Sequence, residues 1–194
     1  MSHDLETGLA AFEPSGLTPP VLPESDVSYV VEDTVIGRML LARNASGAMV
    51  ASAFLGPRGS EDDWLERLSR TISPRVLRQP RALDEPRREL EAYLTGQRHA
   101  FDLPVDLALA TPFQRTVLGR LGEVVHYGER TTYGDLARRI DRPSASRAVG
   151  AALGANPLCV VLPCHRVVAS SGALTGYAGG LAAKEYLLSL EARG

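Results

Sequence analysis

The sequence predicts an α+β protein with an N-terminal sheet flanked by helices and a C-terminal group of helices. Short apolar and β-branched runs separated by turn residues fill positions 26–55, and amphipathic helical patterns follow them. Two further short helical patterns, near residues 131–140 and 144–155, are joined by a tight turn. The 194 residues, 44% of them hydrophobic, are enough for one good core or two modest ones.

Charge and cysteine content restrict the class of protein. Residues 1–99 carry 11 arginines against 15 acidic residues, and residues 100–194 carry 10 basic against 8 acidic residues, so the second half is better suited to meet an anion. This balance is too weak for a strongly basic nucleic-acid binder. No signal segment or membrane-spanning run is visible, and we expect a cytoplasmic protein without membrane association. Cys159 and Cys164 are the only cysteines, and they do not make a disulfide framework.

The N-terminal half predicts a flexible leader over residues 1–25 and a supporting α/β domain over residues 26–106. The stretch "SYVVEDTVIGRMLLARNASGAMVASAFL" fits an antiparallel meander, with "NASG" as a hairpin turn. Two helices follow, one burying Trp64, Leu65 and Leu68, and the other burying Leu90, Tyr93 and Leu94. This half shows no cluster of residues that would carry chemistry.

The C-terminal domain is expected over residues 107–194, after the proline-containing connection "FDLPVDLALA". In "TPFQRTVLGRLGEVV", Thr111 is a candidate N-cap, and Gln114 completes a capping box. The next two helices, "TTYGDLARRI" and "SASRAVGAALGA", have the arrangement of a helix-turn-helix. We therefore expect this domain to resemble a winged helix.

The second helix of that pair consists almost entirely of small residues and carries one charge, Arg147. Small side chains would let the backbone of this helix approach another surface closely, as insertion into a narrow groove requires, and they stand at Ala145, Ala148, Gly150, Ala151, Ala152 and Gly154. They would equally suit tight packing of one helix against another. The pattern alone leaves both interpretations open.

Cys164 is the candidate nucleophile, in the stretch "NPLCVVLPCHRVV". The apolar run before it predicts a strand that presents Cys164 at its end, with Cys159 a buried apolar residue inside the run. In an extended chain His165 would point away from Cys164, so a bend after Pro163 or a bridging water is needed for it to take the thiol proton. Glu191, beside the apolar face of the last helix, is the candidate carboxylate that orients His165.

Other interpretations of these residues stay open. Glu191 could be a solvated residue in a frayed last turn. A cysteine hydrolase would use the same thiol and histidine, although no local protease signature surrounds Cys164. A zinc site fits poorly, because Cys159, Cys164 and His165 provide neither a C-x-x-C pair nor a closed tetrahedral set.

Residues 107–193 resemble the methylated-DNA–protein-cysteine methyltransferases, also called O6-alkylguanine-DNA alkyltransferases. The resemblance is carried by "PCHRV" together with the upstream "RAVG" and "NP", and it extends through "YAGGLAAKEYLLSLE". The N-terminal half is similar only in its general pattern. The resemblance implies a C-terminal alkyltransferase domain that repairs O6-alkylguanine in double-stranded DNA by irreversible transfer of the alkyl group to Cys164, without a cofactor or a metal.

The resemblance also implies roles for individual residues. His165 would act as a base through a water, Glu191 would hold the histidine, and Asn156 would tie down the recognition helix and the strand carrying Cys164. The substrate would be contacted by a larger set, namely Tyr133, Arg147, Ala148, Ala151, Val167, Tyr177, Ala178 and Lys184. Arg147 would enter the base stack where the damaged base had been, and the backbone carbonyls of Cys164 and Val167 would accept the guanine amine.

One position departs from the family pattern, because Ala178 stands where serine is common. The contact expected there comes from the backbone N–H, so activity should survive, and the consequence for discrimination among alkyl groups is open. We expect a monomer, and the sequence leaves cooperative binding along DNA undecided. The alternative function is a non-catalytic lesion-binding protein that recruits other repair factors.

Overall fold

The computed structural model describes residues 25–56 and 59–193, and it confirms the α+β class. The predicted leader lies outside the described residues, apart from Ser25. Helices and strands fall into two groups, before and after an irregular connection at residues 95–111. The division into domains near residue 107 stays a prediction. Across the described ranges, no helix is long and apolar enough to cross a bilayer.

Three strands form the predicted antiparallel meander, namely β1 (Val27–Thr34), β2 (Gly37–Asn44) and β3 (Met49–Phe54). At the turn between β2 and β3, Asn44 Oδ1 accepts hydrogen bonds from the backbone N–H groups of Ser46 and Ala48. A short fourth strand, which the sequence pattern did not show, pairs in parallel with β1; it is β4 (Val76–Arg78). The strand order is therefore β3-β2-β1-β4.

Two helices complete the first group, α1 (Glu61–Thr71) and α2 (Asp84–Leu94), the second preceded by a 3₁₀ turn at Pro80–Leu83. Their buried faces agree with the sequence pattern, since Leu68 of α1 and Leu90, Tyr93 and Leu94 of α2 are buried. Both helices begin with acidic residues, which the helix dipole favours.

The second group contains four helices and a two-stranded parallel sheet. The helices are α3 (Pro112–Val124), α4 (Tyr133–Arg139), α5 (Ser146–Gly154) and α6 (Gly180–Glu191). The strands are β5 (Thr131–Thr132) and β6 (Val167–Val168). Thr111 and Gln114 form the predicted capping box of α3, and α4 and α5 are the predicted pair of short helices joined by a tight turn.

The four-stranded sheet is covered on both faces. One face packs against the second group of elements, so the core is continuous between the two groups. Along β2, Leu40 and Ala42 pack in the cluster that includes Leu68 of α1, whereas Met39 and Leu41 pack in the cluster that includes Leu118 and Leu187. This alternation is the period of two expected for a strand. Since each fully buried aliphatic side chain contributes about 2 kcal/mol, this second cluster firmly joins the sheet to α3 and α6.

The edge strand β3 also bonds to two segments of irregular chain. Met49 N donates to Pro104 O at 2.7 Å, and Ser52 N donates to Pro157 O at 2.8 Å. The Ser52 hydroxyl donates to Cys159 O, also at 2.8 Å. The edge of the N-terminal sheet is thus satisfied by the segment that leads to Cys164.

Replacement of Thr111 by alanine tests the start of α3. Thr111 Oγ1 accepts from Gln114 N, and its loss leaves the first turn without a side-chain cap. We expect the free energy of unfolding, measured by urea denaturation, to fall by about 1 kcal/mol. The matched control is Thr116→Ala, an exposed threonine of the same helix whose hydroxyl bonds to Pro112 O. An equal loss in both variants would contradict the assignment of the cap.

Candidate active site

The segment before Cys164 is a turn, and the strand that the sequence predicted there is wrong. Leu162 N donates back to Leu158 O at 2.8 Å, and Val160 adopts a left-handed conformation with φ 73°. That conformation is costly for a β-branched residue and persists only where the surroundings impose it. Cys164 follows in a 3₁₀ turn that extends to Arg166. Local β propensity is thus overridden by the tertiary contacts of the segment.

Asn156 is one source of those contacts, and it holds the turn from inside. Its Oδ1 accepts from Leu158 N at 2.9 Å, and its Nδ2 donates to Leu162 O at 3.1 Å. The same Nδ2 donates to Cys164 Sγ at 3.2 Å. Asn156 follows the end of α5 and therefore ties that helix to the cysteine, as the family resemblance implied.

The turn places the two thiols side by side. Cys164 exposes 6% and Cys159 2% of its surface, and neither is in a disulfide. A hydrogen bond from Cys159, supported by Asn156 and by the charge of Lys184, lowers the pKa of Cys164 although burial opposes ionisation. Donation of this hydrogen bond to Cys164, together with burial, raises the pKa of Cys159. Cys159 is therefore more than a buried apolar residue.

His165 and Glu191 form a buried pair. His165 Nε2 lies 2.5 Å from Glu191 Oε1, and both side chains are fully shielded from solvent. Burial opposes ionisation of Glu191, but hydrogen bonds from His165, Arg166 and Tyr93 outweigh it and lower the pKa of this carboxyl to about 2. An ionised carboxylate only accepts, so Nε2 carries the proton and Nδ1 is left as a free base. Nδ1 is buried and has no hydrogen-bond partner among the described residues.

Burial lowers the pKa of His165 despite the favourable influence of Glu191. The imidazole is therefore neutral at physiological pH and able to accept a proton. The chain bends after Pro163, where the 3₁₀ turn begins, and this is one of the two arrangements that the sequence left open. The pair of His165 and Glu191 has the geometry of a base and its orienting group.

Two further residues complete the surroundings of Glu191, and the sequence analysis missed both. Arg166 is buried and donates through Nε to Glu191 Oε2 at 2.9 Å and through Nη1 to Val125 O at 2.8 Å. The Tyr93 hydroxyl, from α2, donates to Glu191 Oε1. The single charge of Arg166 inside an apolar run was a signal of a buried pair. Nothing in the pattern of α2 showed that the tyrosine hydroxyl would reach the last helix.

Cys164 lines a cavity of ≈ 210 Å³. Residues of α4, α5 and the loop before α6 form its wall, namely Tyr133, Gly150, Leu153, Gly154, Thr175, Gly176, Tyr177 and Ala178. Tyr177 is buried, and its hydroxyl has no partner within residues 25–56 and 59–193. Tyr133, Tyr177 and Ala178 thus lie together around Cys164, and their contact with a substrate stays a prediction.

Tyr133 and Lys184 each form a hydrogen bond with Thr175, in the loop that lines this cavity. Thr132 caps α4 by accepting from Asp135 N, which places Tyr133 at the first position of the helix, and the Tyr133 hydroxyl lies 3.2 Å from Thr175 Oγ1. Lys184 does not line the cavity. Its buried ammonium donates to Val167 O at 2.7 Å and to Thr175 O at 2.9 Å, so it fixes the loop that forms the wall.

The outer face of α5 lies beside this cavity. Arg147, Ala148 and Ala151 are exposed, whereas Val149 and Ala152 face the core. The helix therefore presents a smooth surface with one cation, and its small residues are not all consumed by packing. Gly150 and Gly154 of the same helix line the cavity, which connects this surface with Cys164.

A larger cavity of ≈ 930 Å³ lies elsewhere, between the β1–β2 hairpin, α2 and α6. Two of its acidic residues pair with Arg87, whose Nε lies 2.8 Å from Glu32 Oε1 and whose Nη1 lies 3.2 Å from Asp84 Oδ1. It contains neither cysteine nor histidine. The chemistry therefore belongs to the smaller cavity, because a thiol of lowered pKa lines this pocket of the size of a small group and the neutral, oriented imidazole is the next residue in the chain.

Comparison with known proteins places this geometry in a family. Residues 112–193 match the family described as "6-O-methylguanine DNA methyltransferase, DNA binding domain". The methylated-DNA–protein-cysteine methyltransferase of Methanosarcina acetivorans is 39% identical over 165 residues, which are 84% of this chain and 97% of that protein. The inducible enzyme of that name from Bacillus subtilis is 49% identical over 105 residues, covering 54% of this chain and 58% of that protein.

Solved structures agree in fold. The crystal structure of the Mycobacterium tuberculosis O6-methylguanine methyltransferase has a TM-score of 0.74 at 35% identity, covering 86% of this chain and 93% of that one. The same enzyme in complex with DNA has a TM-score of 0.73 at 34% identity, with the same coverage. On these similarities and on the arrangement around Cys164, the chain belongs to the methylated-DNA–protein-cysteine methyltransferase family.

Proposed function

We propose that this chain repairs DNA by transferring the alkyl group of O6-alkylguanine to Cys164, once per molecule. The observation that carries the proposal is the buried thiol, with a hydrogen bond from Asn156 and a lowered pKa, in a cavity beside the pair of His165 and Glu191. A relative named for this reaction aligns with this chain over nearly the whole of its own length. The same support favours transfer over lesion binding without chemistry.

The reaction needs a nucleophile, a proton acceptor and a stabilised leaving group. His165 takes the Cys164 proton through a water, and the thiolate attacks the alkyl carbon in line with the bond to O6. The carbon–sulfur bond forms as the carbon–oxygen bond breaks, and the electron pair leaves with guanine. The hydroxyl of Tyr133, which lines the cavity, would stabilise that charge by donating to the base. The product is a thioether, which no group of the site can reduce, so the protein is consumed.

DNA must deliver the base to a cavity inside the protein, so the nucleotide has to leave the duplex. We propose that α5 enters the minor groove with Ala148 and Ala151 and that Arg147 fills the vacated place in the stack. The carbonyls of Cys164 and Val167 would then meet the guanine amine. We also propose that residues 26–106 form a supporting domain and that residues 107–194 form the domain that binds DNA and accepts the alkyl group. The composition of the chain supports a monomer that acts in the cytoplasm.

Replacement of Cys164 by serine tests the function. After mixing with an equal amount of duplex DNA containing one O6-methylguanine, the natural protein should gain one methyl on the peptide that holds Cys164, as measured by intact-mass and peptide-mass spectrometry. Cys164→Ser should gain none and still shift the lesion duplex in a gel. The control Cys159→Ser should gain one methyl. A natural protein that binds the duplex and stays unmodified would support the lesion-binding function instead.

The pH dependence of transfer tests the coupling between the thiols. The rate should rise with pH as Cys164 loses its proton, with a midpoint below the pKa of an ordinary thiol. Cys159→Ala removes the donor that most lowers the pKa of Cys164, and the midpoint should move to higher pH. Cys159→Ser retains a donor and should move it less. Identical midpoints in rapid-quench assays of all three proteins would show that Cys159 has no such role.

Replacement of Arg147 by alanine tests nucleotide flipping. The transfer rate on duplex O6-methylguanine should fall by about tenfold or more, because a few kcal/mol are needed to hold a base outside the stack. The rate on O6-benzylguanine as a free base should be unchanged. Arg88→Ala, which removes an exposed arginine from α2, is the control. Equal losses on both substrates would place the defect in the cavity and not in DNA binding.

A further inference from the structure

The wall of the alkyl cavity is thin, and it has a second cavity behind it. Tyr177 and Ala178 line the cavity that contains Cys164, and they also line a groove of ≈ 290 Å³ on their other side. The far side of that groove belongs to the N-terminal sheet, including Gly37 of β2 and Phe54 of β3. The loop from residue 176 to 179 is therefore a thin wall between the active site and the sheet, and we call this loop the partition.

Phe54 is the side chain that supports this partition. Its ring meets the ring of Tyr177 edge to face, with centroids 5.4 Å apart and an interplanar angle of 72°. The fit against Gly179 is closer still, because a Cβ at that position would lie 2.5 Å from Phe54 Cζ. Gly179 has φ −79°, which any residue adopts, so only contact with the ring requires glycine there.

The two sides of this contact differ in rigidity. Phe54 is the last residue of β3, paired with Met39 of β2, and Leu55 N continues the pairing by donating to Arg38 O. The partition has no regular secondary structure before α6 begins at Gly180. A ring held on a sheet thus faces an irregular loop that has a groove on its other side.

We propose that Phe54 is a specificity-determining positioning residue, which sets the size of the alkyl group accepted at Cys164 by limiting the retreat of Tyr177 and Gly179. The inference rests on the proposed function, since it concerns the alkyl group transferred there. A methyl group fits without displacement of the wall. A bulkier group must push the wall into the groove, against the ring of Phe54.

The first experiment compares transfer rates from duplexes containing O6-methylguanine or O6-benzylguanine. Phe54→Leu shortens the support and should raise the ratio of the benzyl rate to the methyl rate by about fivefold or more, within the range for small changes in apolar pockets. The control is Phe113→Leu, the same change at a half-buried phenylalanine of α3 that lines neither cavity. A merely structural loss would lower both rates together and leave the ratio unchanged, which would overturn the proposal.

The second experiment tests the contact itself. Gly179→Ala should force the wall toward Cys164 and lower the benzyl rate more than the methyl rate. In the double variant Phe54→Ala with Gly179→Ala, the space left by the ring should restore the ratio to at least that of the natural protein. Failure of this rescue in a folded double variant, judged by circular dichroism, would overturn the proposal. Methyl transfer to Cys164 in the natural protein tests the proposed function separately.

Discussion

The rest of the site depends on the hydrogen bonds that pair the buried carboxylate of Glu191. A buried charge is costly unless it is fully paired, and here four donors from three parts of the chain converge on it. His165 and Arg166 donate at 2.5 Å and 2.9 Å, Gly128 N donates at 3.3 Å, and the hydroxyl of Tyr93 completes the set. Removal of any donor would leave part of the charge unpaired. The position of the histidine is therefore fixed by the same contacts that join α2, α6 and the 3₁₀ turn.

This arrangement gives the N-terminal half a defined physical role. It contributes no nucleophile and no base, but three of its side chains each hold a different part of the site. Tyr93 supports the carboxylate, Ser52 supports the turn before Cys164, and Phe54 supports the cavity wall. Because all three belong to the sheet or to a helix packed close to it, the shape of the cavity depends on the continuous core between the two groups of elements.

The sequence was sufficient wherever the determining contacts are local. The capping box of α3, the "NASG" turn and the buried faces of α1 and α2 follow from residues within a few positions of one another. The association of Cys164, His165 and Glu191 was predictable from helical spacing and family resemblance. The turn at residues 158–162 was not, because its apolar β-branched sequence favours a strand and only Ser52 and Asn156 impose the turn. Tyr93 was missed for the same reason, since its partner is 98 residues away.

The way in which Cys164 is activated suits a reaction that happens once. A full cationic partner would lower the thiol pKa strongly, but nucleophilicity falls as the pKa falls. Here Cys159 lowers the pKa of the thiol, Asn156 donates directly to its sulfur at 3.2 Å, burial opposes ionisation, and the charge of Lys184 acts without a direct bond. The sulfur is thus buried and weakly solvated, which favours attack on carbon. After transfer the sulfur is a neutral thioether, and donors arranged for an anion lose their acceptor. The contacts that make the thiolate reactive therefore favour the protein before transfer over its alkylated form.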